Sequence, residues 1–295
     1  MAGLLIAAGP AQTAFNPKDL PQHLHSVSIR NIPIIYSDQG KGDPLVILSP
    51  YPLSTGLWAD LANRLSSSER VIVVEPPGLR TPPSMGGDFS SMHLLYLYRD
   101  FVKALGFTHV RILGVGEGGG LAVAFGHHFP EITGAVISIN GFESVNWTEG
   151  FGGTLSYFSQ SASGGLGMLL STGSIRYRKK SPSREEMDRW LVPLPDEERK
   201  KAVQARFEAL IQDVKEGFIL AMLPNFDRPL LLLRGESDDL LPDGEKYVKR
   251  TQSQIRKHPV EYDVVSEAGH FAFLDQPERV AERIRAFLAK NAVSK

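Results

Sequence analysis

Eight short apolar runs, each about one strand long, recur along this chain with helical patterns between them. They fall at residues 26–30, 33–37, 44–49, 70–75, 109–115, 134–139, 229–234 and 260–265. Several are nearly continuous in Val, Ile and Leu, as expected of strands buried on both faces. Between them, residues 55–65, 91–105, 119–128, 243–257 and 277–290 carry the spacing of amphipathic helices. The alternation predicts an α/β fold: a mostly parallel sheet flanked by helices on both sides. The first two runs have only Asn31-Ile32 between them, so they read as an antiparallel hairpin at one edge.

The rhythm stops between residues 143 and 224. Residues 150–173 are rich in Gly and Ser, 176–180 form a basic cluster, and 184–223 are helical in pattern. The expectation is a helical cap inserted over residues 143–224, into a core made of 25–142 and 225–295. Residues 1–24 read as an N-terminal extension. The Gly/Ser stretch reads equally well as a mobile lid or a plain surface loop. The basic cluster reads as a solvated face, with an anion contact as the lesser reading.

Composition narrows the partners. The 295 residues carry 32 basic and 33 acidic side chains, a net charge of −1, so no overall field draws the chain to nucleic acid or anionic lipid. No stretch approaches the roughly 20 apolar residues of a membrane span. The apolar start, residues 1–14, has no basic n-region and is interrupted by Gly9-Pro10, unlike a secretory signal. There is no cysteine, which excludes disulfides, Cys-based metal sites and a thiol nucleophile and fits a reducing compartment. The expected setting is cytoplasmic. The expected partner is a small molecule, with no cofactor, no nucleic acid and no membrane.

Four motifs stand at the ends of apolar runs. Leu113-Gly114-Val115-Gly116-Glu117-Gly118-Gly119 lies between a strand and a helix. Gly235-Glu236-Ser237-Asp238-Asp239-Leu240-Leu241-Pro242 follows a strand. Ala268-Gly269-His270-Phe271 precedes Leu274-Asp275-Gln276-Pro277-Glu278. Ser49-Pro50-Tyr51-Pro52 follows the third strand.

In their order along the chain, over about residues 26–289, these motifs resemble the α/β-hydrolase superfamily. The resemblance implies an α/β-hydrolase fold with a cap. It also implies that the first motif is the sharp turn that carries the nucleophile between two small residues. Gly116 takes that position, although the register Gly116 to Gly120 also fits, and both registers put glycine there. Gly114-x-Gly116 is also the spacing of a phosphate-binding loop, but it follows the fifth run rather than the first strand of a βαβ unit. By the same resemblance Asp238 is the orienting acid and His270 the catalytic histidine. Tyr51 and Glu117 would supply the backbone N–H groups of an oxyanion hole, altered because Ser49-Pro50 replaces His-Gly.

With no side chain at Gly116, no covalent intermediate forms there. A His270–Asp238 dyad remains a general base. Lyase, cyclase, isomerase or water-activating chemistry on a small, fairly apolar molecule remains open. The Glu117 carboxylate is a candidate second acid/base, or a group bonded locally. Trp147, Phe151, Tyr157, Phe158, Met168 and Trp190 either line an apolar cavity or pack the cap onto the core. The segment from Gly114 to Glu131, with Glu75-Pro76-Pro77-Gly78, is also similar to the N-myc downstream-regulated family, which has this fold without a serine nucleophile. That resemblance implies a non-catalytic binding or signalling protein. The family lacks the Gly-His loop that is intact here.

Overall fold

The computed structural model describes residues 22–78, 80, 87–143, 182–191, 197–238, 240–241 and 244–292. Eight strands form one sheet: β1 (His25–Ile29), β2 (Ile32–Gln39), β3 (Pro44–Leu48), β4 (Arg70–Val74), β5 (Val110–Val115), β6 (Thr133–Ile139), β7 (Leu230–Gly235) and β8 (Val260–Val265). Their order across the sheet is β1-β2-β4-β3-β5-β6-β7-β8. The pairs β1–β2 and β2–β4 are antiparallel, and every later pair is parallel. The expected α/β architecture is therefore present. The hairpin turn is Arg30-Asn31, both at positive φ, with Ile29 facing Ile32. This is one residue earlier than the sequence spacing suggested. Asn tolerates that region better than most residues.

The helices are α1 (Ala59–Leu65), α2 (Ser91–Ala104), α3 (Glu117–His128), α4 (Arg184–Trp190), α5 (Glu197–Glu216), α6 (Gly244–Gln254), α7 (Ala272–Asp275) and α8 (Pro277–Lys290). Helix α3 starts two residues before the apolar spacing suggested, because Glu117 and Gly118 already belong to its first turn. It is buried from Glu117 to Gly126. Its run of glycine and alanine lets it lie close against the sheet. Among the described residues between 143 and 224, α4 and α5 are the regular elements apart from a short turn at Leu223–Asn225. Helix α4 docks on the loop after β3: Ser54 N–H donates to the Trp190 carbonyl at 2.7 Å, and Leu53 bridges to Leu191. Trp190 is buried there. The other aromatic residues expected in the cap, the Gly/Ser stretch and the basic cluster lie outside the described residues. No helix among the described residues is long and apolar enough to cross a membrane.

Strands β5 and β7 are buried along their whole length. The chain moves outward from β3 to β4 and returns to the other side of β3 with β5. That reversal of strand order lies at the carboxyl ends of β3 and β5, the place where open α/β sheets form their ligand crevice. The floor behind it is aromatic. Trp58 and Phe273 stack with centroids 4.3 Å apart and planes 5° from parallel, and Trp58 Nε1–H donates to Ser49 Oγ at 3.1 Å.

Phe273 ties the segment after the Gly-His loop to that floor. We expect Phe273→Ala to lower unfolding free energy by about 4 kcal/mol in chemical denaturation. A loss below about 1 kcal/mol would show that the stack does not hold this segment.

Candidate active site

Strand β5 passes into α3 through a single residue. Gly116 sits at φ 55°, ψ −119°, a conformation that disfavours any side chain. Its neighbours are constrained by space. A Cβ on Gly114 would stand 2.1 Å from the Gly118 carbonyl oxygen, and one on Gly118 would stand 2.4 Å from that of Leu48. The turn is thus centred on Gly116, the first of the two registers considered. A Cβ at Gly116 itself would meet His270 Nε2 at 2.8 Å and Phe142 Cζ at 3.6 Å. The imidazole stands directly over the bare turn.

Two other strand ends place His270. After β7, Asp238 points one oxygen, Oδ2, at His270 Nδ1 across 2.9 Å. Its Oδ1 accepts from the N–H groups of Leu240 and Leu241 at 3.0 and 3.3 Å. Both residues are buried. A ring nitrogen facing a carboxylate carries the proton, so in the neutral ring the lone pair lies on Nε2, on the side of Gly116. Beneath them lies Asn140, fully buried just after β6 and at φ 44°. Its Nδ2 donates to the carbonyls of Gly269 and His270 at 3.1 and 2.7 Å. Its Oδ1 accepts from Gly235 N–H at 3.0 Å. One side chain therefore ties the acid loop to the histidine loop. Asp275 adds an acceptor for Gly269 N–H at 2.9 Å. Next to Asn140, the buried Glu143 pairs with Arg234 at 2.6 Å.

Tyr51 and Glu117 meet in a different way from the sequence expectation. Tyr51 N–H donates to the Glu117 carboxylate, Oε2, at 3.3 Å. The other oxygen, Oε1, accepts from Arg206 Nε at 2.6 Å. Arg206 comes from α5 and is fully buried. Its Nη1 donates to the Phe89 carbonyl at 2.9 Å and its Nη2 to Ser91 Oγ at 3.0 Å. Burial, the largest influence, works against the guanidinium's charge, but the Glu117 charge and hydrogen bond together with the Asp213 and Tyr51 contributions outweigh it and leave its pKa above the ordinary value. Burial pushes the Tyr51 phenol well above its ordinary value, and its hydroxyl donates to the Pro77 carbonyl.

The structure thus brings Gly116, His270 and Asp238 together, and brings Tyr51 and Glu117 together. The Glu117 carboxylate is bonded to Tyr51 N–H and Arg206, so of the two readings the local bonding is the one seen. Sequence reasoning missed Asn140 and Arg206. A lone Asn after a strand carries no signal. Arg206 looks like one more charge on a polar helix.

The sequence model of the alpha/beta hydrolase family matches residues 45–283. The chain belongs to that family. Comparison with curated proteins finds no match. Among solved structures, an esterase from Thermogutta terrifontis with malate bound superposes with a TM-score of 0.73 at 20% identity, covering 92% of this chain and 99% of that one. An esterase from Exiguobacterium antarcticum gives 0.74 at 19% identity over 90% and 98%. The epoxide hydrolase CorEH gives 0.72 at 20% identity over 90% and 98%. At these identities the likeness concerns the fold. In this alpha/beta hydrolase family member, Tyr51, Gly116, Asn140, Asp238 and His270 all follow the carboxyl ends of strands of the sheet.

Asn140→Ala strips partners from three buried backbone groups, so we expect it to cost about 3 kcal/mol in urea unfolding. A loss within about 0.5 kcal/mol would mean that the two loops hold their positions without it.

Proposed function

We propose that this protein is an alpha/beta-hydrolase-fold enzyme that works without a covalent nucleophile. In this reading Gly116 stands where relatives carry the attacking side chain, and His270 acts as a general base oriented by Asp238. The observation that carries it is the placement of His270: Nδ1 held by a buried carboxylate, Nε2 turned toward a residue with no side chain. Nε2 takes a proton from a bound molecule or from water, and Asp238 stabilises the imidazolium that forms. The proton returns to the product. General-base assistance of this kind contributes roughly 10²–10⁴ in rate. Isomerisation, elimination, cyclisation and water attack are all within its reach.

The substrate class is a small, fairly apolar molecule, held under a cap made by the 143–224 insertion. Near-zero net charge supports a small-molecule partner rather than nucleic acid or a membrane. The reading calls on no cofactor and places the protein in the cytoplasm.

One observation favours a second reading. The Tyr51 N–H, which in relatives would face a developing oxyanion, is bonded to Glu117. A site so occupied suits a non-catalytic binding protein, the role implied by the likeness to the N-myc downstream-regulated family.

Purified protein assayed against small neutral epoxides and against small neutral substrates of elimination, isomerisation and cyclisation separates the two. The enzyme reading expects turnover that falls at least ~100-fold in both His270→Gln and Asp238→Asn while thermal stability is kept. Full activity in folded His270→Gln sinks the base assignment. A ligand that binds with equal affinity to both proteins and is never converted supports the second reading.

A further inference from the structure

We propose that Glu117 is a resident occupant of the site's anion-binding position, fixed there by Arg206, and that it sets specificity by refusing negative charge at that point. The inference rests on reading Tyr51 N–H as the donor that relatives aim at an oxyanion. It does not require His270 to be an active base.

The position is defined by what converges on it. Tyr51 N–H comes from the loop after β3, and the Arg206 guanidinium from α5. Both are aimed at one carboxylate, at 3.3 and 2.6 Å. The carboxylate belongs to the first residue of α3, where the helix's exposed N–H groups favour an anion. Arg206 is held by three hydrogen bonds, to Glu117, the Phe89 carbonyl and Ser91 Oγ. Asp213 lies 3.7 Å from its Nη1. The guanidinium and the carboxylate are 0% and 5% exposed. A cavity of about 20 Å³ borders the pair, lined by Ser91, Leu121, Phe142 and Asp213 among others. That is room for about one water beside the pair.

A buried carboxylate paired in this way is hard to displace, because leaving either partner alone strands a charge away from water. A second anion, whether a ligand carboxylate or the oxyanion of an acyl-transfer intermediate, would meet like charge where it needs donors. The chemistry selected at His270 is therefore chemistry on neutral molecules that build no negative charge beside Tyr51 N–H. The same geometry makes a converse statement. With the Glu117 side chain removed, Arg206 and Tyr51 N–H form an empty receptor for a small carboxylate.

Formate is the probe, titrated at constant ionic strength into the full chain, uniformly ¹⁵N-labelled. The readouts are the Tyr51 amide resonance and the thermal midpoint. In the wild type we expect no saturable shift at Tyr51. Glu117→Ala is expected to melt several degrees lower. Formate should restore most of that loss along the same saturation curve that moves the Tyr51 amide. The double variant Glu117→Ala/Arg206→Met should lose the response. Glu117→Gln keeps the shape without the charge, and covers the case in which the alanine variant does not fold. Its Tyr51 amide proton should move upfield as the acceptor loses charge. A saturable formate shift at Tyr51 in the wild type overturns the proposal. So does a folded Glu117→Ala that ignores formate, or an unchanged Tyr51 amide in Glu117→Gln. None of these results depends on turnover, so the proposal and the base assignment of His270 fail separately.

Discussion

The carboxyl edge of this sheet depends on how tightly β5 is joined to α3. Gly114 and Gly118 lie so close to each other and to Leu48 that no side chain fits at either. That contact forces the chain through its turn at Gly116 and aims α3 back across the sheet. The helix then presents Glu117 toward Tyr51 on one side, and the bare turn toward His270 on the other. Positive φ at Gly116 costs little because the residue is glycine. Most other side chains there would strain the backbone and press on His270.

Among the described residues, several buried carboxylates pair with arginines. Glu117 meets Arg206, Glu143 meets Arg234, Glu69 meets Arg111 and Glu75 meets Arg80. Such pairs add little net stability against apolar substitutes, but removing one member costs several kcal/mol, about 3–5 in measured cases. They therefore act as positional constraints. Two of them border the site: Glu117–Arg206 fixes α5 to the start of α3, and Glu143–Arg234 braces the segment after β6 against β7. Asn140 supplies the neutral counterpart, linking the loops of Asp238 and His270 through hydrogen bonds alone.

Much of this was legible in the sequence. Periodicity located every strand to within a residue or two, because buried parallel strands concentrate Val, Ile and Leu. The Gly-His loop and the Gly-Glu-Ser-Asp loop located His270 and Asp238, which the fold brings to 2.9 Å. What stayed hidden depends on long-range geometry. Glu117 was visible as a carboxylate near the site, but its partner lies 89 residues away on a helix dense in charge. Nothing local separates Arg206 from Arg199 or Lys200. Asn140 has the same problem: its role exists only once β6, β7 and β8 lie side by side. The hairpin turn and the start of α3 were each misplaced by one or two residues, where turn chemistry rather than apolar spacing sets the boundary.

The central claim is that His270 offers an unprotonated Nε2 to the space above Gly116. Long-range ¹H–¹⁵N correlation of the imidazole in ¹⁵N-histidine-labelled protein tests it directly, with His270→Gln assigning the signals. Recorded where the ring is neutral, the spectrum should show a protonated Nδ1 bound to Asp238 and a bare Nε2. A proton found on Nε2 would contradict the account, because the nitrogen facing the elbow would then have no lone pair with which to accept one.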